Sequence, residues 1–110
     1  MNLSIVTVNY RAWSHLEAAL VELQEDFPED WEIIVVDNES DAEPFDAFSA
    51  RFPWVTFISN PHNSGFGAGC NIGVAAATGD QLLFMNPDVI ASCKSIQALI
   101  DIKAKHNIGI

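Results

Sequence analysis

The sequence predicts an α/β domain: an open, mostly parallel sheet with helices on both faces. Three observations carry that expectation. Short β-branched apolar runs alternate with segments of helical periodicity along the whole chain. One of those runs, Ile33 to Val36, is apolar at every position, as a strand covered on both sides requires. And a chain of 110 residues that is 49% hydrophobic has length for one domain and too much apolar content for disorder.

The elements follow in order. "LSIVTVN", Leu3 to Asn9, reads as the first strand. Ser14 precedes Glu17 by three residues in "SHLE", a capping box, and Leu16, Ala19, Leu20 and Leu23 then recur at helical spacing. Pro28 is expected to stop that helix. "WEIIVVDN" is the second strand. Pro44 suits the first turn of a short helix reaching about Arg51. "WVTFIS", Trp54 to Ser59, is the third strand, and "NPHNS" leads into a glycine-rich helical stretch ending near Gly79. "DQLLFM" is the fourth strand. After "NPD", Ser92 can cap a helix with Ile96, Leu99 and Ile100 on one face, closed by Lys103, Lys105 and His106, whose charge suits a helix C-terminus. "NIGI" begins what reads as a fifth strand. That unfinished pattern makes residues 1–110 a single region expected to be the N-terminal part of a longer domain. A bare edge strand would invite pairing with a second copy.

Charge narrows the partners. Net charge is −10 with five Lys and Arg, so the chain repels phosphate backbones, and neither nucleic acid nor an anionic membrane surface is an expected partner. No apolar run approaches transmembrane length, and "MNLSIVTVNY" lacks the basic region of a signal peptide. A cytoplasmic setting is the expectation, and a membrane-associated parent protein would read the same way. Cys70 and Cys93 read as free thiols, and neither they nor His15, His62 and His106 show metal-ligand spacing.

Three polar clusters fall at strand carboxyl ends: Asn9-Tyr10-Arg11, Asp37-Asn38-Glu39 and Asn86-Pro87-Asp88. A parallel sheet places all three on one edge, where its ligands bind. Each alone is explained by turn chemistry, since Asn and Asp bond nearby backbone amides. Gly65, Gly67, Gly69 and Gly73 form the fourth piece. An interior glycine costs a helix about 1 kcal/mol against alanine. Close packing on the sheet would explain Gly69 and Gly73, whereas Gly65 and Gly67 suit backbone approach to a ligand at the helix start. Gly67, Gly69, Gly73 and Asp88 also resemble a dinucleotide-binding fingerprint. They follow the third strand, however, and Pro87 interrupts the approach to the acid, so that reading is the alternative, beside a non-catalytic binding or assembly module. An acidic site binding a diphosphate calls for a hard divalent cation, Mg2+ or Mn2+, and Asp88 is placed to hold one.

"SIVTVNYR", "IIVVDNES", "NPHNSGFGAGCNIGVAAATGD" and "LLFMNPDV" occur in the order found in family 2 glycosyltransferases, and the set resembles the rhamnosyltransferase-like branch with a GT-A fold. The resemblance covers nearly the whole chain. It implies inverting sugar transfer from a nucleotide-diphosphate donor, usually with Mg2+ or Mn2+, onto a glycan or lipid-linked acceptor in polysaccharide or cell-envelope synthesis. By the same resemblance, the Val8 backbone, Asn9 and the Tyr10 ring would border the base. Asp37 would accept hydrogen bonds from base or ribose. Asn63, Gly65, Phe66 and Gly67 would line the nucleotide-sugar pocket. Asn86 and Asp88 match the metal-binding Asp-x-Asp position with Asn in place of the first acid, which leaves one charged ligand. Nothing in the chain matches the family's general base, so donor binding without transfer is the expectation.

Overall fold

The computed structural model describes residues 2–38, 42–60 and 65–106. A four-stranded parallel sheet in the order β3-β2-β1-β4 carries four helices. The strands are β1 (Leu3–Asn9), β2 (Trp31–Asn38), β3 (Thr56–Asn60) and β4 (Gln81–Phe84), and the helices are α1 (Trp13–Gln24), α2 (Ala42–Arg51), α3 (Phe66–Ala76) and α4 (Cys93–His106). The α/β class and alternation are as the sequence predicts.

The faces divide cleanly. Leu3, Ile5, Ile33 and Val35 pack with Leu16, Leu20 and Leu23 of α1 and Ile96 and Ile100 of α4 in one core. Val6 and Val8 point the other way, since successive side chains of a strand alternate, and meet α3. An alanine Cβ at Gly69 would lie 2.8 Å from Val8 Cγ1, and one at Gly73 would collide with Val6 Cγ1. Close packing therefore accounts for these two glycines, and the dinucleotide fingerprint loses two of its glycines to the sheet contact.

Several boundaries differ from expectation for local reasons. The Ser14–Glu17 capping box does not form: α1 starts at Trp13 with Ala12 as N-cap and no side-chain cap. Glu17 pairs instead with Arg51 of α2. The α1 helix ends before Pro28, because Glu25 is extended and Asp26 takes φ 57°. β3 starts at Thr56, two residues late, since Val55 N–H turns back to the Phe52 carbonyl at 3.0 Å. Ser92 does cap α4, accepting from Ser95 N–H at 3.0 Å. Leu99 is 44% exposed although it shares a helix with the buried Ile96 and Ile100. The "NIGI" segment, Glu39, His62 and Asn63 lie outside the described residues, as do the side chains of Lys103, Lys105 and His106. No helix among the described residues is long and apolar enough to cross a membrane.

Candidate functional site

The strand order places a switch point. From β1 the chain moves to β2 and β3 on one side, then returns to set β4 on the other side of β1. Ligands of open α/β sheets bind beyond the carboxyl ends of the strands, where that reversal opens a crevice. Here that switch point lies between the end of β1 and the end of β4, at Asn9-Tyr10 and Asn86-Pro87-Asp88.

Asn9 and Asp37 face each other in register on β1 and β2, and both are buried. Asn9 Nδ2 donates to Asp37 Oδ1 at 3.0 Å, and Asn9 Oδ1 accepts from Ala12 N–H at 3.3 Å. One carboxylate oxygen of Asp37 is thus engaged by Asn9. Val8 holds its side chain under α3, leaving only its backbone for the site. Tyr10, next along, is 45% exposed. The Arg11 guanidinium lies 5.2 Å from the Tyr10 ring centre, and Arg11 takes φ 54°, a left-handed conformation that non-glycine residues seldom adopt.

At the end of β4 the chain makes a β-turn, in which Asn86 accepts from Val89 N–H at 3.1 Å. Pro87 occupies the second position, where its fixed φ fits. Asp88 occupies the third, and its φ is not positive, which excludes a type II turn. Thr7 Oγ1 donates to the Met85 carbonyl at 2.7 Å and ties this turn to β1. Asn86 and Asp88 are both exposed. Beside Asn86 an apolar groove of about 320 Å³ runs between β4 and α4, lined by Leu83, Met85, Val89, Ile96 and Leu99.

The start of α3 completes the edge. Gly65 is its N-cap at φ 92°, and a Cβ at Gly65 or Gly67 would meet nothing within 4 Å among the described residues. The side chain of Phe66 between them is 59% exposed. The two glycines expected at a ligand thus face open space, while the two expected at the sheet touch it. Asn38, whose neighbour Asp37 drew attention in the sequence, turns out to bond both Asn60 and Gly65. The register of Asn38 with Asn60 at two adjacent strand ends was the available signal.

The oxygen donors at the edge suit a hard cation. Among the described residues no group of three or more His, Cys, Asp or Glu side chains forms a metal cage. The side chains that could offer oxygen ligands to such a cation at the turn after β4 are Asp88 and Asn86, both exposed. Burial pushes the Cys70 and Cys93 thiols up, aided at Cys93 by the Asp26 carboxylate, which disfavours the thiolate form of both.

The chain matches the family model described as "Glycosyl transferase family 2" over residues 4–110. An uncharacterized glycosyltransferase of Haemophilus influenzae is 34% identical over 86 residues, covering 78% of this chain and 29% of the relative. The uncharacterized glycosyltransferase YfnE of Bacillus subtilis is 31% identical over 110 residues, covering 96% of this chain and 26% of the relative. The chain thus spans less than a third of the length of the curated relatives it matches. Among solved structures, the mannosyltransferase PcManGT from Pyrobaculum calidifontis, in complex with GDP-Man and Mn2+, superposes with a TM-score of 0.83 at 19% identity, over 98% of this chain and 34% of that one. S. aureus TarS 1-349 in complex with UDP gives 0.71 at 20% identity, over 97% of this chain and 33% of that one. At those identities the likeness is one of fold, the GT-A arrangement.

Proposed function

The chain belongs to glycosyl transferase family 2, and from that premise we propose that it forms the donor-binding part of an enzyme that transfers a sugar, with inversion, from a nucleotide-diphosphate sugar to an acceptor hydroxyl. One observation carries the reading. The turn bearing Asp88, the Asn9–Tyr10 strand end and the open glycine start of α3 lie on one edge, around the switch point between β1 and β4.

Tyr10 offers an exposed ring for the base, and Asn9 and Asp37 hold the backbone that presents it. Asp37, which is in register with Asn9 at the end of β2, is the carboxylate proposed to receive the base or ribose. The amides that open α3 have no intrahelical acceptor and suit the polar groups of the donor. Asn63, Gly65, Phe66 and Gly67 border the nucleotide sugar, the first of these on sequence alone. Asp88 with Asn86 would hold Mg2+ or Mn2+, which when bound supplies positive charge to the departing diphosphate. With one carboxylate in the set, the cation should bind well only with the diphosphate. An attacking hydroxyl needs a carboxylate to take its proton, and no residue of this chain is assigned that role. The donor sugar is proposed as rhamnose or a related hexose, and the acceptor as a glycan or lipid-linked glycan, on the likeness of "NSGFGAGCN" and "LLFMNPD" to the rhamnosyltransferase-like branch. The edge of β4, the outer strand on its side of the sheet among the described residues, with Leu82 and Phe84 exposed, is the surface proposed for pairing with a second copy.

Calorimetric titration with GDP-mannose, UDP-glucose and dTDP-rhamnose, with and without Mn2+, tests the reading. At least one should bind only with Mn2+, and Asp88→Ala should weaken it by about tenfold or more, the equivalent of about 1.4 kcal/mol. NAD binding that ignores the metal would favour the dinucleotide alternative. No nucleotide binding at all would leave an assembly module.

A further inference from the structure

We infer that Asn38 is a positioning residue of the donor site, which holds the start of α3 at a set distance from the end of β2. The inference rests on the donor reading above and adds to it a residue that does not itself touch the donor.

Asn38 closes β2 and is 2% exposed. Its Oδ1 accepts from Asn60 Nδ2 at 2.8 Å, and its Nδ2 donates to the Gly65 carbonyl at 3.2 Å. Asn60 ends β3 in register with Asn38. A directed chain of hydrogen bonds thus runs from β3 through β2 to the residue that opens α3. The Gly65 carbonyl also accepts from Gly69 N–H at 3.1 Å, the first rung of the helix ladder. Gly65 has no side chain and gives α3 no side-chain cap. The Asn38 bond reaches the Gly65 carbonyl from the sheet and so ties the direction of the first turn to the end of β2.

Gly69 is part of the same device. A Cβ there would come within 3.2 Å of Asn38 Nδ2, so the glycine leaves room for the amide beneath the helix. Only Asn or Gln combines a donor and an acceptor on one amide, and Asn38 uses both. Aspartate at this position could still accept from Asn60, but it would turn a negative oxygen toward the Gly65 carbonyl. The first turn of α3 would then swing away from Asn9 and Tyr10, and the donor would meet its binding groups at the wrong spacing.

The test compares Asn38→Asp, Asn60→Asp and Glu32→Gln in the full chain. Glu32 lies at the opposite edge of the sheet and is bonded by Ser4 and Thr78, so its variant reports stability alone. The readouts are the Kd for GDP with Mn2+, the melting temperature and amide exchange at Gly69. Asn38→Asp should raise the Kd about tenfold, as expected for an orphaned buried acceptor, and speed exchange at Gly69. Glu32→Gln should lower the melting temperature and leave the Kd within about twofold, being a distant site. Folded Asn38→Asp that binds GDP as tightly as wild type overturns the inference. If Asn38→Asp does not fold, Asn60→Asp takes its place, because losing the Asn60 donor frees the Asn38 amide to flip; unchanged binding in that variant overturns the inference too. A wild-type protein that binds no nucleotide overturns the donor reading itself and this role with it, an outcome visible before any variant is made.

Discussion

Gly73→Ala should destabilise the protein and Gly67→Ala should not, although both residues sit on α3 and the chemical change is identical. At Gly73 the new Cβ would collide with Val6 Cγ1 and lie 3.4 Å from two further Val6 carbons. Val6 is buried on the central strand, and its β-branched side chain has little rotamer freedom with which to yield. Overpacking of this kind costs about 1–3 kcal/mol. The helix gains about 1 kcal/mol from replacing glycine with alanine. The difference is a net loss of up to about 2 kcal/mol, from the same two principles. At Gly67 nothing among the described residues lies within 4 Å of the new carbon, so only the gain remains, diminished because Gly67 is in the first turn. Urea unfolding at constant m-value reads the difference directly. A change of 1 kcal/mol moves the melting temperature of a domain near this size by about 4 °C or more.

A Gly73→Ala protein as stable as wild type would refute the account of α3 packing. So would a Gly67→Ala protein that loses as much as Gly73→Ala. Binding supplies the other half of the comparison. If the donor approaches the backbone at Gly67, then Gly67→Ala should hold or gain stability while GDP binding weakens. Opposite signs in one variant separate a ligand-facing glycine from a structural one. Unchanged GDP affinity would remove Gly67 from the donor contacts.

Two further outcomes concern opposite parts of the sheet. Burial pulls the Glu32 carboxyl upward, but hydrogen bonds from Ser4, Thr78 and the Gly79 amide outweigh it, and the group is held below its ordinary value of 4.5. A carboxyl lowered in the folded state contributes stability that is complete above its unfolded pKa and is lost as pH falls through the folded one. The stability gap between wild type and Glu32→Gln, read by urea unfolding, should therefore stay constant at neutral pH and shrink below about 4.5; a gap that persists into acid would refute the account. At the open edge, Phe84→Lys should abolish self-association seen by light scattering at high concentration, since a charge on an edge strand opposes strand pairing. A wild-type chain that is monomeric at the same concentration would remove the edge-pairing proposal.

Strand identity was legible because burial sets it. Ile33 to Val36 are buried on both faces, and an apolar run of that length between turn residues has few other readings. The glycine division was legible for a related reason: Gly69 and Gly73 stand four apart and so share one helix face, the one against the sheet. The Ser92 cap of α4 was legible from local spacing, but the start of α1 was not. Ser14 and Glu17 satisfy the capping pattern, yet Asn9 takes over near Ala12 from the strand end, and a bond from outside the helix leaves no local spacing to read. Asn38 is legible as a member of a strand-end cluster, but its bonding is not, because its partners, Asn60 and Gly65, are 22 and 27 residues away. The site's members could be named from strand ends, but their connections depend on register, and register is a property of the assembled sheet.

The distribution of polar groups along β1 and β2 explains why the carboxyl edge can be a ligand site without being the weak end of the fold. Asn9, Asp37 and Asn38 are all buried, and buried polar groups are costly unless bonded. Here the side-chain amides meet that demand in both directions. Asn9 gives to Asp37 and receives from Ala12, while Asn38 gives to Gly65 and receives from Asn60. Replacing either asparagine with a residue that only accepts would leave one partner unmatched, whichever way the side chain turned. These two residues therefore secure α1 and α3 to the ends of β1 and β2, one helix to each face of the sheet. With that frame held from below, Tyr10, Phe66, Asn86 and Asp88 can remain exposed. Their surfaces are free for a ligand because the fold's own hydrogen bonding at this edge is carried by the layer beneath them.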